Sequence, residues 1–338
     1  MTLRYARAVA VMTVFGAGAM GTALAMHLAR KGEQVSLWGS EFDARVLPEL
    51  IERRSHPALP ERLPERVRVF GPDQLDLAAK GATLVVMAAH SGGARSLATM
   101  VEPSLTDART VISIAKGLEP GSRKRISEVY AEELDGRPVV AVGGPALAAE
   151  VAVGLPCAAV LGCPDREALN EVADALRAEA YVVHVTDDCL GLEYCSTAKN
   201  VGAIAAGILE GLGQQREQAY KNARAALFTS AVQEMADLVE VLGGRRETAL
   251  GLAGMGDLLV TSIGGRNRLY GEVVGAGADP LRAEKDMESR GMTVEGVESA
   301  RDVHNLASEA GLDLPVHEAV YRVVHEGAHP GSILEAMQ

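Results

Sequence analysis

The amino-acid sequence predicts an α/β domain over residues 1–188, built on a doubly wound parallel sheet, followed by an all-helical C-terminal domain over 189–338. Three observations carry this. Short apolar runs alternate with helical stretches up to Thr186-Asp187-Asp188. A G-x-G-x-x-G turn follows the first run directly. Beyond residue 188 no segment reads convincingly as a strand.

The elements follow in order. Ala8–Phe15 (AVAVMTVF) is continuously apolar, as a strand buried on both faces of a parallel sheet requires. Residues 18–31 place Ala23, Leu24, His27 and Leu28 on one side of a helix. Gln34–Trp38 (QVSLW) gives a second strand. Thr83–Ala88, Thr110–Ile114, Val139–Val142, Ala158–Leu161 and Tyr181–Val185 give the rest, with helices between several of them, such as 122–134 and 165–178. In the second domain Leu190–Leu212, Ala219–Leu242, Glu295–Ala310 and Val316–Glu326 read as helices. No proline-rich or glycine/serine linker, internal repeat or low-complexity tract interrupts the chain.

The 338 residues fit two domains of ordinary size, and 48% apolar content is ample for two cores. Lysine and arginine number 33 against 45 acidic residues, a formal charge of −12, which argues against a nucleic-acid binder. Cys157, Cys163, Cys189 and Cys195 form two C-x5-C pairs, which is neither a zinc nor a thioredoxin spacing, so reduced thiols and no metal are expected. From Ala8 to Ala29 there is no Asp, Glu, Lys or Arg, and Arg4 and Arg7 precede the stretch. That mimics a signal peptide or anchor, but the glycines at its centre fit a nucleotide turn better.

Gly16-Ala17-Gly18-Ala19-Met20-Gly21 supplies that turn. Gly16 permits the tight bend, Gly18 lets the backbone approach a pyrophosphate, and Gly21 lets helix and strand pack closely. The helix start then offers free N–H groups to phosphate. The expectation is a Rossmann-type dinucleotide site. An acidic residue for the ribose hydroxyl is expected about 20 residues on. Here Trp38-Gly39-Ser40 stands there, with Glu41 one step late. Arg45, Arg53 and Arg54 follow, as partners for a 2′-phosphate or as solvated helix charge. NAD and NADP both remain open.

Two charges stand alone in apolar surroundings. Lys199 is the only charged residue between Glu193 and Glu210, and Cys195, Ser196, Gly202 and Ala203 share its helical face. A close neighbour would desolvate its ammonium and lower its pKa towards the range useful for proton transfer. The plain alternative is a lysine that snorkels to water. Asp257 is the sole charge between Glu247 and Arg266. A buried carboxylate needs a cation or several donors, and a pair with Lys199 would explain both; the alternative is a simple helix N-cap. Lys116 follows the strand 110–114, at the sheet edge where open α/β domains bind ligands, or is an ordinary surface lysine. Gly264-Gly265-Arg266-Asn267-Arg268 opens a short helix whose amides, with Arg266 and Asn267, suit a phosphate or carboxylate, or form a solvated basic turn.

With these segments in place, the chain resembles the bacterial type of NAD(P)-dependent glycerol-3-phosphate dehydrogenase. The matching stretches are GAGAMGTALA (16–25), AKGLE (115–119), GGPALAAEV (143–151), GLP (154–156), LEYCSTAKNVGAIAAGILEGLG (192–213), GLAGMGDLLVT (251–261), GGRNRLYGE (264–272), TVEGVESA (293–300) and LPVHEAVYRVV (314–324). They occur in family order over most of the chain. The resemblance implies a cytoplasmic homodimer that reversibly reduces dihydroxyacetone phosphate to sn-glycerol 3-phosphate with NAD or NADP. Lys199 matches the family's proton donor and acceptor, with Lys116, Asp257 and Thr261 as its active-site partners. Arg266 and Asn267, with Lys116, match the substrate contacts. Cofactor contacts are implied at Gly16, Gly18, Ala19, Met20, Gly21, Ser91, Ala148, Arg266 and Glu295.

The chain departs from the family pattern in several loops. Ala89-His90-Ser91 stands for Val-Pro-Ser, and Ala115 for a threonine. Gly143-Gly144-Pro145-Ala146-Leu147-Ala148 stands for Ser-Gly-Pro-Ser-Phe-Ala, and Cys157 for a threonine. Gln214–Asn222 expands a short turn, and Thr229-Ser230-Ala231 replaces Thr-Arg-Gly. Lost hydroxyls and His90 bear on which polyol phosphate is taken, or His90 is a plain loop residue. A dehydrogenase of the same fold for another phosphorylated or acidic substrate is the second expectation, and a non-catalytic dinucleotide sensor the third.

Overall fold

The computed structural model describes residues 11–337 of the chain; Ala8–Ala10 of the first expected strand lie outside them. The chain forms two compact units. The first comprises the described residues up to Ala115, with Ile126–Val142 and Ala146–Val185. The second comprises Lys116–Arg125, Gly143–Pro145 and the chain from Thr186 onward.

The first unit is built on eight strands: β1 (Val11–Phe15), β2 (Gln34–Trp38), β3 (Val67–Phe70), β4 (Leu84–Met87), β5 (Thr110–Ser113), β6 (Val139–Gly143), β7 (Cys157–Gly162) and β8 (Tyr181–Thr186). Their order is β3-β2-β1-β4-β5-β6-β7-β8. β1 to β6 pair in parallel, with Phe15 opposite Trp38 on one side and Met87 on the other. The order reverses between β1 and β4, which is where sheets of this kind bind ligands.

Alternation along the strands feeds two cores. Met12, Val14, Leu84, Val86 and Ile112 face one way and join Leu24, Leu28, Val151 and Val172. These come from α1 (Ala19–Arg30), α5 (Ala148–Val153) and α6 (Arg166–Leu176). Phe15, Val85, Met87 and Val111 face the other way, onto Ala78, Leu97, Val129 and Tyr130. Those belong to α2 (Leu75–Ala79), α3 (Ala94–Val101) and α4 (Ile126–Glu133). Helices therefore cover both faces of the central sheet, and β1, β4 and β6 there read as nearly unbroken apolar runs.

The second unit carries eight helices among the described residues: α7 (Cys189–Gln215), α8 (Lys221–Val241), α9 (Arg246–Leu250), α10 (Asp257–Ile263), α11 (Arg266–Gly275), α12 (Pro280–Ser289), α13 (Glu295–Ala310) and α14 (Pro315–His325). Helix α7 is buried along most of its length, with α8, α10, α11, α13 and α14 packed around it. Asp188 starts it, accepting from the amides of Gly191 and Arg245 and from the Thr248 hydroxyl. Against α11 the approach is backbone to backbone. A Cβ on Gly207 would stand 2.1 Å from the Arg268 carbonyl oxygen, and one on Gly271 would stand 2.2 Å from that of Ile204.

Several expectations differ in detail. The helix expected over 122–134 begins only at Ile126. Gly121 and Arg123 both hold positive φ, and an antiparallel bridge joins Leu118 to Arg125, so 118–125 is a tight hairpin. Strand β3 and helices α2, α3, α9 and α12 had no counterpart in the sequence reading. All four cysteines are free thiols. Among the described residues no single helix is long and apolar enough to cross a membrane.

Candidate active site

In the first unit the turn after β1 lies against the turn after β4. Gly16 has φ +110°, which only glycine adopts cheaply, and its Cβ would stand 2.9 Å from the Ala88 carbonyl oxygen. A Cβ on Gly21 would stand 2.4 Å from the Gly16 oxygen, so any side chain there forces helix and turn apart. Gly18 is different: nothing lies within 4 Å of its Cβ position. It caps α1 with no side-chain hydrogen bond, and the first helical turn, with Ala19 and Met20, holds no acid. The helix start is thus open and offers unpaired N–H groups, which fits a dinucleotide pyrophosphate.

Asp43 holds this turn in place. Its carboxylate accepts from the amides of Ala17 and Ser40 and from the Ser40 hydroxyl. Burial pushes its carboxyl pKa up, against those donors. Glu41 and Arg45 are exposed at the same edge. Ser91 begins the 3-10 turn after β4 and is buried, and Ala148 opens α5, half-buried beside the core that also receives Met20. His90 is exposed.

The second unit gathers the lone charges. Lys199 lies on α7 and is 5% exposed, so it does not snorkel. Its Nζ donates to the Thr261 hydroxyl at 3.0 Å and lies 3.3 Å from Asp257 Oδ1. Lys116 donates to Asp257 Oδ2 at 2.5 Å and to the Gly144 carbonyl at 3.3 Å. The Thr261 hydroxyl in turn donates to the Asp257 carbonyl at 2.7 Å. Asp257 is the first residue of α10, and Gly256, not Asp257, occupies the cap position. Its carboxylate caps nothing and is spent on two ammonium groups.

The packing explains the placement. A Cβ on Gly202, one turn along from Lys199, would stand 2.9 Å from the Leu258 side chain. That small position lets α10 press against α7 and brings Asp257 to Lys199. Burial lowers the Lys199 pKa to about 8, with the Asp257 carboxylate opposing the drop, Lys116 adding to it and Glu295 opposing it. Burial also pushes the Asp257 carboxyl upward, but Lys116 and Lys199 outweigh it and hold the group below the usual carboxylate range. The result is a buried acid shared by two lysines, one of them poised near neutral pH.

Helix α11 brings in the remaining candidates. Arg266 is its first residue, exposed, with no hydrogen bond or ion pair among the described residues. Asn267 is buried, and its amide works inward: Nδ2 donates to Asn200 Oδ1 at 2.9 Å, and Oδ1 accepts from the Gly296 amide at 3.0 Å. Asn200 follows Lys199, is 1% exposed, and its Nδ2 has no hydrogen-bond partner. Sequence reasoning gave Asn200 no role. Its signals were a neutral amide in an apolar helix and the Lys-Asn pair of the family resemblance, and neither names a partner. Glu295 opens α13, half-buried, near enough to raise the Lys199 pKa.

Comparison with known proteins shows the family to which the chain belongs. Residues 11–169 match the model of the NAD-dependent glycerol-3-phosphate dehydrogenase N-terminus, and 188–335 that of the C-terminus. The chain is similar to the NADP(+)-dependent glycerol-3-phosphate dehydrogenase of Archaeoglobus fulgidus, 35% identical, covering 96% of this chain and 98% of that one. It is 37% identical to the glycerol-3-phosphate dehydrogenase [NAD(P)+] of Symbiobacterium thermophilum, over 96% and 93%. The crystal structure of glycerol-3-phosphate dehydrogenase from Coxiella burnetii superposes with a TM-score of 0.87 at 34% identity, over 96% of this chain and 98% of that one.

Proposed function

Because the chain belongs to the NAD-dependent glycerol-3-phosphate dehydrogenase family, we propose that it interconverts dihydroxyacetone phosphate and sn-glycerol 3-phosphate with Lys199 as the proton donor and acceptor. The observation that carries this role is the buried Lys116–Asp257–Lys199 cluster, with Thr261 fixing the second lysine.

The bound NAD(P) cofactor supplies the hydride in reduction and takes it up in oxidation. As charge develops on the ketone oxygen, the Lys199 ammonium donates a proton to it. In the reverse direction neutral Lys199 accepts the hydroxyl proton. A pKa of about 8 leaves both forms accessible near neutrality. Asp257 and the Thr261 oxygen hold the lysine in one rotamer. Lys116 balances the second carboxylate oxygen and adds positive potential to the site.

The unpaired Arg266 guanidinium, with the amides at the start of α11, takes the substrate phosphate. Holding both ends of a small substrate in this way is worth roughly 7–11 kcal/mol of the barrier. Asn267 acts as a strut, fixing Asn200 and the first turn of α13, and Asn200 Nδ2 remains to donate to the substrate. The open start of α1, with Gly16, Gly18 and Gly21, holds the cofactor pyrophosphate, flanked by Ser91 and Ala148. Family membership supports a homodimer and a cytoplasmic location.

The test is a panel of ketone phosphates assayed with NADH and with NADPH on purified protein. Dihydroxyacetone phosphate should be turned over fastest. Turnover of another ketone phosphate with none of this one would replace the substrate assignment. Wild-type turnover in Lys199→Ala would remove the mechanism.

A further inference from the structure

A second polar recess lies in the helical unit and shares no residue with the lysine cluster. It has a volume of about 400 Å3 and is lined by Gly121 and Arg123 of the hairpin and by Glu298, Arg301, Asp302, Asn305 and Glu309 of α13. Two of its three carboxylates are matched. Arg301 pairs with Glu298 at 3.2 Å, and Arg123 pairs with Glu309 at 2.7 Å. Arg301 also reaches His325 Nδ1 at 3.2 Å.

Asp302 is left over. The residue is 3% exposed and opens onto the recess; Arg123 and Arg301 act on its carboxylate only at a distance, with no hydrogen bond or ion pair to it among the described residues. A carboxylate held largely out of bulk water, with no donor from the protein, is costly to ionise. Burial, then the neighbouring Glu298, push its pKa up to about 7, against Arg123 and Arg301. Near neutral pH the group therefore presents an unmatched negative charge, or a proton in its place.

We propose that this recess is a ligand site for a small organic cation, whose ammonium donates to Asp302 while the two arginine–glutamate pairs form its walls. Three observations select that class. The charge left after the two pairs are matched is a single negative one. The recess is open and polar, with more room than a bare ion needs. No group of three metal-ligating side chains occurs among the described residues, so a metal ion is poorly served. Asn305 offers an amide oxygen to a second N–H of the ligand. The hairpin that supplies Gly121 and Arg123 is closed by the bridge from Leu118 to Arg125, and Arg125 pairs with Glu193 of α7, which braces the recess wall. The proposal is independent of the reaction assigned above.

Putrescine is a suitable probe, with 1,4-butanediol as its neutral counterpart, followed by isothermal titration calorimetry on the intact protein. At pH 8 putrescine should bind at one saturable site per chain and butanediol should not. Asp302→Asn should weaken putrescine binding at least tenfold while melting at the same or a higher temperature at pH 8, since the variant removes an unmatched buried charge. Should that variant not fold, the wild-type protein suffices: lowering the pH to 5.5 puts a proton on Asp302 and should weaken binding at least tenfold. No saturable binding at pH 8, equal binding by Asp302→Asn, or equal affinity at the two pH values would each overturn the site.

Discussion

Lys116 and Asp257, 141 positions apart in the chain, are joined by a 2.5 Å hydrogen bond. The bond leaves the other carboxylate oxygen to Lys199. One buried acid thus opposes the effect of burial on the Lys199 ammonium, and the first two predictions concern that lysine.

Lys199→Ala should lower kcat by two orders of magnitude or more, roughly the scale of general acid–base catalysis. NADH affinity, read by fluorescence titration, should stay within about twofold, because the glycine turn is untouched. A parallel loss of cofactor binding would make the lysine structural.

The pH profiles of the two directions should mirror each other. Burial lowers the Lys199 pKa from 10.5 to about 8. Ketone reduction needs the ammonium, so kcat should be level below about pH 8 and fall above it. Alcohol oxidation needs the amine and should rise through the same range. The Asp257 charge holds that pKa up, so Asp257→Asn should move both midpoints to lower pH by roughly one unit or more. Unmoved midpoints with reduced kcat would show that Asp257 does not act through Lys199.

Arg266→Ala should act on binding. Losing a charge-assisted contact worth about 1.5–3 kcal/mol raises the substrate KM roughly tenfold to a hundredfold. Saturating kcat should change far less. Arg266→Lys should recover part of the loss, because it restores charge but not the two-pronged geometry. A kcat defect at unchanged KM would place Arg266 elsewhere in the cycle.

Gly21→Ala tests the cofactor turn. Its Cβ would stand 2.4 Å from the Gly16 oxygen, so the turn has to shift. Overpacking of this kind costs about 1–3 kcal/mol, and the cofactor KM should rise accordingly. Far-UV circular dichroism should remain that of the wild type. Wild-type cofactor KM would mean the turn does not touch the dinucleotide.

Much of this was legible in the sequence, for reasons that can be named. Strands β1, β4 and β6 are covered by helices on both faces, so each is a largely apolar run that needs no partner to be recognised. β3 sits at the sheet edge with Arg68 exposed, and its four residues carry too little apolar pattern. Lys199 and Asp257 stood out because burying a charge is costly, and a lone charge in an apolar stretch therefore demands a partner. Asn200 did not stand out. A neutral amide costs less to bury, and its contact with Asn267 spans 67 positions. The expected helix over 122–134 takes in residues 122–125, which belong to the hairpin, and Arg123 there has a positive φ. Its positive φ is imposed by the turn, which local pattern does not encode.

The glycine seam between α7 and α11 has one further consequence. Gly207 and Gly271 each meet bare peptide on the facing helix, so neither position has room for even one added methyl group. Lys199 on α7 and Arg266 at the head of α11 are therefore set at a spacing fixed by backbone contact. On the function proposed above, that spacing would make the enzyme sensitive to the number of atoms between carbonyl and phosphate, and a chain-lengthened ketone phosphate should be a poorer substrate.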